Sequence, residues 1–210
     1  GTPSLLPAAL LGQLLDGLDE LTNWRDSVTE ATAECNPESL DRDKARALLD
    51  LGIGRLSVGV QALDDQVLKL FDRVHSGDDG LRALEAAREA GIEHLSADLI
   101  FAWPGQTMER WEHDLGVILS LTTEHLSAYN LTYEEDTRFK RWLDQGRLKK
   151  APEDLELALF ERARELCDLS YTALPHFDAH PILPHLILTH MLGPRACKYR
   201  HSGNLSFSNG

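Results

Sequence analysis

Leu56, Val58 and Val60 alternate with Ser57 and Gly59, a period of two that predicts a half-buried strand emerging at Gln61. Gly52 and Gly54 break the segment before it. Asp64 or Asp65 can cap a following helix whose apolar stripe is Val67, Leu68 and Phe71. The same strand-then-helix unit recurs along the chain. Ser27–Glu34 predicts a short strand ending on Glu34, and Asn36-Pro37 a helix start that runs through Leu40, Leu48, Leu49 and Leu51 to Gly52. Gly77–Ala90 predicts a helix that Gly91 ends. His94–Phe101 predicts a strand with Asp98 inside it, and Thr107 caps a helix with Trp111, Leu115, Ile118 and Leu119 inward. His125–Tyr133 predicts a further strand with Asn130 and Thr132 near its end. Asp136–Gly146 and Pro152–Leu169 predict two more helices, and Leu10, Leu11, Leu14, Leu15 and Leu18 mark one near the start. Strand and helix alternating every thirty residues or so suits βαβ units and a parallel sheet. The predicted class is α/β, a partial TIM-like (β/α) barrel.

Glu34, Gln61, Asp98 and the pair Asn130 and Thr132 each lie in or just past a separate predicted strand. In a parallel barrel such positions converge on the carboxyl face, where ligands bind. Any one of them alone reads as a structural hydrogen bond or a helix cap. Four in register favour a polar ligand site, and Asp98 in an apolar strand needs a partner, since an unpaired buried carboxylate is costly. Arg73, just beyond a helix, reads by pattern as solvated.

The 210 residues carry a net charge of −13, which argues against a large nucleic-acid footprint. No apolar run is long enough to span a bilayer, and no signal peptide opens the chain. Cys35, Cys167 and Cys197 are sparse, odd in number and without metal-ligand spacing, which fits a reducing compartment and places the protein in the cytoplasm. From Ser170 onward the character changes. Residues 170–210 hold five of the nine histidines and four of the nine prolines, and no helical or strand period persists. His176, His180, His185 and His190 could chelate a metal only if prolines did not interrupt them, so no metal site is assigned. Residues 1–169 are read as the barrel portion and 170–210 as an irregular tail.

The motifs GTPS, ECNPESL, GRLSVGVQALDD, DRVH, DLIFAWPGQT and HLSAYNLTYEEDT, in this order and spacing, resemble the radical S-adenosylmethionine family that holds the HemW-type heme chaperones and the oxygen-independent coproporphyrinogen III oxidases. The likeness runs from Gly1 to about Leu169. It implies a partial (β/α) barrel, a [4Fe–4S] cluster held by a CxxxCxxC loop, and S-adenosylmethionine bound at the cluster and cleaved to a radical. It implies heme as cargo and heme-accepting proteins as partners in the chaperone branch. By the resemblance, Gly1 and Thr2 fall in a glycine-rich segment near the methionine moiety, and Glu34 contacts S-adenosylmethionine. Gln61, Arg73 and Asp98 line a second position for the same ligand, and Thr132, from its place near a strand end, is a further candidate contact. His201 is the counterpart of a heme-binding histidine.

There are departures. No CxxxCxxC is present, so the chain reads as lacking the cluster ligands and the barrel's first strands. Phe71-Asp72-Arg73 stands for Leu-Gly-Arg, and Cys197–Phe207 is a scrambled echo of a CxHNxxYW motif. That loss near Ser170 reads as an aberrant tail, as a shifted reading frame would give. LTYEEDT favours the chaperone branch, with the oxidase second. A third reading is a non-catalytic remnant that binds a nucleotide-like ligand or nothing. Oligomeric state is left open.

Overall fold

The computed structural model describes residues 2–121, 123–173 and 185–189. Five parallel strands form one sheet: β1 (Thr32–Cys35), β2 (Arg55–Gln61), β3 (His94–Phe101), β4 (His125–Asn130) and β5 (His185–Thr189). Their order in space is their order in the chain. The helices are α1 (Ala8–Thr22), α2 (Trp24–Ser27), α3 (Arg42–Asp50), α4 (Asp65–Leu70), α5 (Gly77–Glu89), α6 (Met108–Ser120), α7 (Arg138–Asp144) and α8 (Glu153–Ala173). Parallel strands in sequential order, joined by crossovers of one hand, put their helices on one side of the sheet. That is the wall of a (β/α) barrel, and it leaves the other face to a ligand.

The covered face supplies the core. Leu56, Val58, Leu95, Leu99 and Leu126 from the strands pack with Leu48 of α3, Leu84 of α5, Leu115 and Ile118 of α6 and Leu159 of α8. Trp111 sits among them, its Nε1–H donating to the Leu159 carbonyl at 2.8 Å and its ring 5.6 Å from that of Phe101. Burying a full set of Leu and Ile side chains at about 1.5–3 kcal/mol each makes this layer the main source of stability. Helix starts are capped as the sequence implies. Asp64 accepts from the Gln66 and Val67 amides, Thr107 from Arg110, and Ser76 and Asp79 form a reciprocal capping box on α5.

Several expectations shift. The strand expected over Ser27–Glu34 is confined to Thr32–Cys35, because Trp24–Ser27 makes a helical turn fastened by the Trp24 Nε1–H to Leu15 carbonyl bond. The helix expected from Asn36 is split. Pro37–Ser39 is a 3-10 turn, and α3 starts afresh at Asp41, whose carboxylate accepts from the Lys44 amide at 2.7 Å. β4 stops at Asn130, where the next residue's amide, that of Leu131, turns to the Phe101 carbonyl. The helix expected through Leu10, Leu11, Leu14, Leu15 and Leu18 is α1, on which Leu11 is buried and Leu10, Leu14 and Leu18 are exposed. Within the segment read as irregular, α8 runs on to Ala173 and His185–Thr189 pairs with β4. A short unbroken apolar run such as Leu186-Ile187-Leu188 carries no period of two, so alternation does not mark it as a strand. The rest of 170–210, with Cys197 and His201, lies outside the described residues, as does Gly1. Among the described residues no helix is long and apolar enough to cross a membrane.

Candidate functional site

Register places the polar phase of the strands on one face. Glu34 pairs with Ser57, Ser57 with Ser96, and Asp98 with Ser127. These are the positions skipped by the apolar alternation, so they point away from the helices. Asp98 is at their centre. The Ser57 hydroxyl donates to its carboxylate at 2.8 Å, and Ser127 stands beside it in register on β4. Burial nevertheless pushes its pKa up from 3.8 to about 6, with the nearby Glu34 charge adding to the rise. Tyr129, on the same phase of β4, has its phenol pushed up by burial and by the Asp98 charge. Glu34 itself is exposed on β1.

Gln61 closes β2 with a conformation that a side chain rarely adopts. Its φ is +69°, and the pairing of β2 with β3 slips by one residue between Val58 and Gln61. Such a bulge re-aims the side chain that follows it, at about 1 kcal/mol for the left-handed backbone. The Gln61 amide folds back over the ligand face: a Cβ added to Gly59 would lie 2.7 Å from its Nε2. Glycine at position 59 is thus what gives the Gln61 side chain its place.

Arg73 lies in the turn between α4 and α5, at the carboxyl end of β2. Two residues on, His75 fixes that turn, with its Nε2 3.1 Å from the Val60 carbonyl and its Nδ1 3.4 Å from the Glu38 carboxylate. The Arg73 Nε is buried and has no hydrogen-bond partner. An orphaned guanidinium N–H is expensive unless an acceptor arrives, so the half-buried Arg73 is not fully solvated at its Nε. Thr2 precedes the 3-10 turn Pro3–Leu5, which docks beside the end of β1 through Ser4. The Ser4 hydroxyl is 2.6 Å from that of Ser39 and accepts from the Asn36 amide at 3.3 Å. Thr132 sits two residues past β4, half-buried.

Asn130 does not join this group. Register pairs it with Phe101 on the helix side, where its amide donates to the buried Glu156 carboxylate of α8 at 3.0 Å. Ser57, Ser96, Ser127 and His125 were not singled out by the sequence reading. The signal was present as the second phase of each strand, which carries Ser, Asp, His and Tyr where a doubly covered strand would carry Val and Leu.

The described cysteines do not suit an iron–sulfur cluster. Cys35 and Cys167 are free and buried, with burial pushing their thiols up to about 11 and about 12, so neither offers a thiolate. No group of three potential metal ligands exists among the described residues. A groove of about 690 Å³ opens on the opposite side between Pro37–Asp41, α3 and α5. Its cations are already engaged, Lys44 with the Leu6 carbonyl and Arg82 with Asp79.

Comparison with known proteins agrees with this architecture. Residues 1–118 match the Radical SAM superfamily. The heme chaperone HemW of Bacillus subtilis is 37% identical over 161 residues, which cover 77% of this chain and 42% of that protein. The mitochondrial radical S-adenosyl methionine domain-containing protein 1 of Mus musculus is 34% identical over 164 residues, 78% of this chain and 37% of that one. The chain therefore spans less than half the length of these relatives. The crystallised coproporphyrinogen III oxidase HemN of Escherichia coli superposes with a TM-score of 0.67 at 26% identity, over 81% of this chain and 39% of that chain. With the motif order, the sequential parallel sheet and the polar inner face in agreement, the chain belongs to the radical SAM superfamily.

Proposed function

We propose that the uncovered face of the sheet binds S-adenosylmethionine, and that the chain is the barrel portion of a heme chaperone of the HemW type. The observation that carries the ligand is the Arg73 Nε, buried with no partner at the rim of a face whose centre is Asp98. S-adenosylmethionine bears a carboxylate for the guanidinium and cationic ammonium and sulfonium groups for Asp98. Gln61 is aimed at the same face by its bulge, and its amide can accept or donate. Glu34, Thr2 and Thr132 border the same carboxyl end. Asp98 is ionised above about pH 6, the state that suits a cationic ligand.

The described residues do not fit a [4Fe–4S] cluster. The radical chemistry of the family belongs to a cluster held by other residues. Heme as cargo is supported by the relatives that carry the name heme chaperone, and delivery to heme-accepting proteins belongs to the same proposal. Of the described histidines, His75 and His125 are buried with their rings bonded, so neither is assigned as an axial ligand. Coproporphyrinogen oxidation is the second reading, favoured by the HemN superposition.

Equilibrium dialysis of the 210-residue chain against S-adenosylmethionine tests the ligand. Saturable binding that drops at least tenfold in Arg73→Ala supports it, and no binding refutes it. A Soret titration with heme then separates the readings. A stoichiometric heme complex supports the chaperone, and binding of coproporphyrinogen without heme supports the oxidase.

A further inference from the structure

The turn that carries Arg73 is gripped by a helix from elsewhere in the chain. α4 closes on a Schellman motif: the Asp72 amide donates to the Lys69 carbonyl at 3.1 Å, and the Arg73 amide to the Leu68 carbonyl at 2.9 Å. Asp72 takes the left-handed position of that motif, with φ of +62°, where glycine is the usual occupant. The motif leaves out the carbonyl of Leu70, the last residue of the helix. Arg138, the first residue of α7, takes it up. Its Nη2 donates to the Leu70 carbonyl at 3.1 Å, and its Nη1 lies 3.3 Å from the Asp72 carboxylate. The next residue, Phe139, sets its ring 6.0 Å from that of Phe71. The Arg138 guanidinium is itself steadied 4.7 Å over the Trp142 ring. α7 follows β4 and α4 follows β2, so these contacts join the loops of two strands that are not neighbours in the sheet.

We propose that Arg138 is a positioning residue for Arg73: by closing the C-terminus of α4 it fixes the turn from which the Arg73 guanidinium meets its ligand. Stability alone does not account for the contact. The Arg138 side chain is 38% exposed and that of Asp72 81%, and ion pairs so exposed add little to a fold. α7 carries no buried residue that would need fastening there. The effect is local. Arg73 is the residue on which the Schellman motif ends, so any change in the closing turn of α4 rotates its Cα–Cβ bond and displaces a side chain whose Nε is buried without a partner. A shift of an ångström at such a group is costly for a directional contact. His75 holds the far side of the same turn through the Val60 carbonyl, and Arg138 holds the near side. The inference rests on the reading of Arg73 as the contact for the carboxylate of S-adenosylmethionine.

The test is equilibrium dialysis of the whole chain against S-adenosylmethionine in wild type, Arg138→Ala, Arg73→Ala and the double variant. The expected result is a roughly three- to tenfold loss of affinity in Arg138→Ala, the size of one net hydrogen bond, with a melting temperature within about 2 °C of wild type. In the Arg73→Ala background the Arg138→Ala change costs nothing further. Equal fold losses in both backgrounds, or no loss in either, overturn the proposal. Lys140→Ala removes a charge from the same helix, where Lys140 pairs with Asp144, and leaves the affinity unchanged; a loss there equal to that of Arg138→Ala makes the effect one of net charge and also overturns it. A readout without ligand accompanies the dialysis: hydrogen exchange at the Arg73 Nε, followed by NMR with nitrogen-15-labelled arginine. Arg138→Ala speeds that exchange severalfold and Lys140→Ala does not, while an unchanged rate in Arg138→Ala overturns the proposal. Absence of S-adenosylmethionine binding by the wild type defeats the ligand reading and leaves the Arg73 exchange rate to decide the role of Arg138.

Discussion

Replacing Asp98 by Asn should make the protein more stable at neutral pH while weakening its ligand binding. The folded state holds the Asp98 pKa near 6 against an ordinary 3.8. The sign follows from linkage. A carboxyl with a raised folded pKa contributes stability that is fully present below the unfolded pKa and is lost as pH rises through the folded one. At about 1.4 kcal/mol per pH unit, the ionised carboxylate costs the fold on the order of 3 kcal/mol by pH 7.5. Asn has no charge to desolvate and can still accept from Ser57. Urea unfolding of both proteins between pH 4 and 7.5 reads the effect, and the difference between them removes the titration of all other groups. The stability gap, Asn variant minus wild type, should widen by about 2–3 kcal/mol from pH 4 to pH 7.5. S-adenosylmethionine at about a hundred times the wild-type dissociation constant stabilises the wild type by about 2.7 kcal/mol and the Asn variant by less. A gap that does not change with pH would refute the reasoning, since burial of the carboxylate would then cost nothing.

Three further substitutions probe the supports of the site. Arg73→Ala should lower the melting temperature by no more than about 2 °C, since its Nε has no partner to lose, yet it should weaken S-adenosylmethionine binding at least tenfold; equal losses of both would make Arg73 structural. Gly59→Ala should act through its neighbour, because the new methyl meets the movable Gln61 amide at 2.7 Å, and calorimetry should find a stability loss under about 1 kcal/mol with a clear loss of affinity. Gly77→Ala is the opposite case. Its Cβ would overlap the Leu63 backbone carbonyl, which cannot swing aside, so chemical denaturation should show a loss of about 2 kcal/mol or more at the start of α5.

The sheet was legible where strands alternate. Leu56, Val58 and Val60 announce β2, and Gly52 and Gly91 mark helix ends with φ of +92° and +95°. Asp98 and Gln61 were legible as polar residues in apolar strands. Other features depend on contacts that a local pattern does not carry. Glu34 faces the ligand side only because β1 pairs in register with Ser57. Asn130 was grouped with the site by sequence position, although the strand's period sends it to Glu156. Arg73 looks solvated in one dimension, and only the turn fixed by His75 reveals a buried N–H. The network under Asp98 escaped because serine and histidine within strands raise no flag until three strands bring them together.

The proposed place of the ligand is the uncovered face at the carboxyl ends of the strands. The most direct measurement is the two-dimensional amide NMR spectrum of the nitrogen-15-labelled chain as S-adenosylmethionine is added. Binding there gives saturable shifts gathered at Thr2, Glu34, Ser57, Gln61, Arg73, Asp98 and Thr132, with α3, α5 and α6 unmoved. Shifts centred on Glu38, Asp41, Lys44 and Arg82, around the groove on the opposite side, would contradict it.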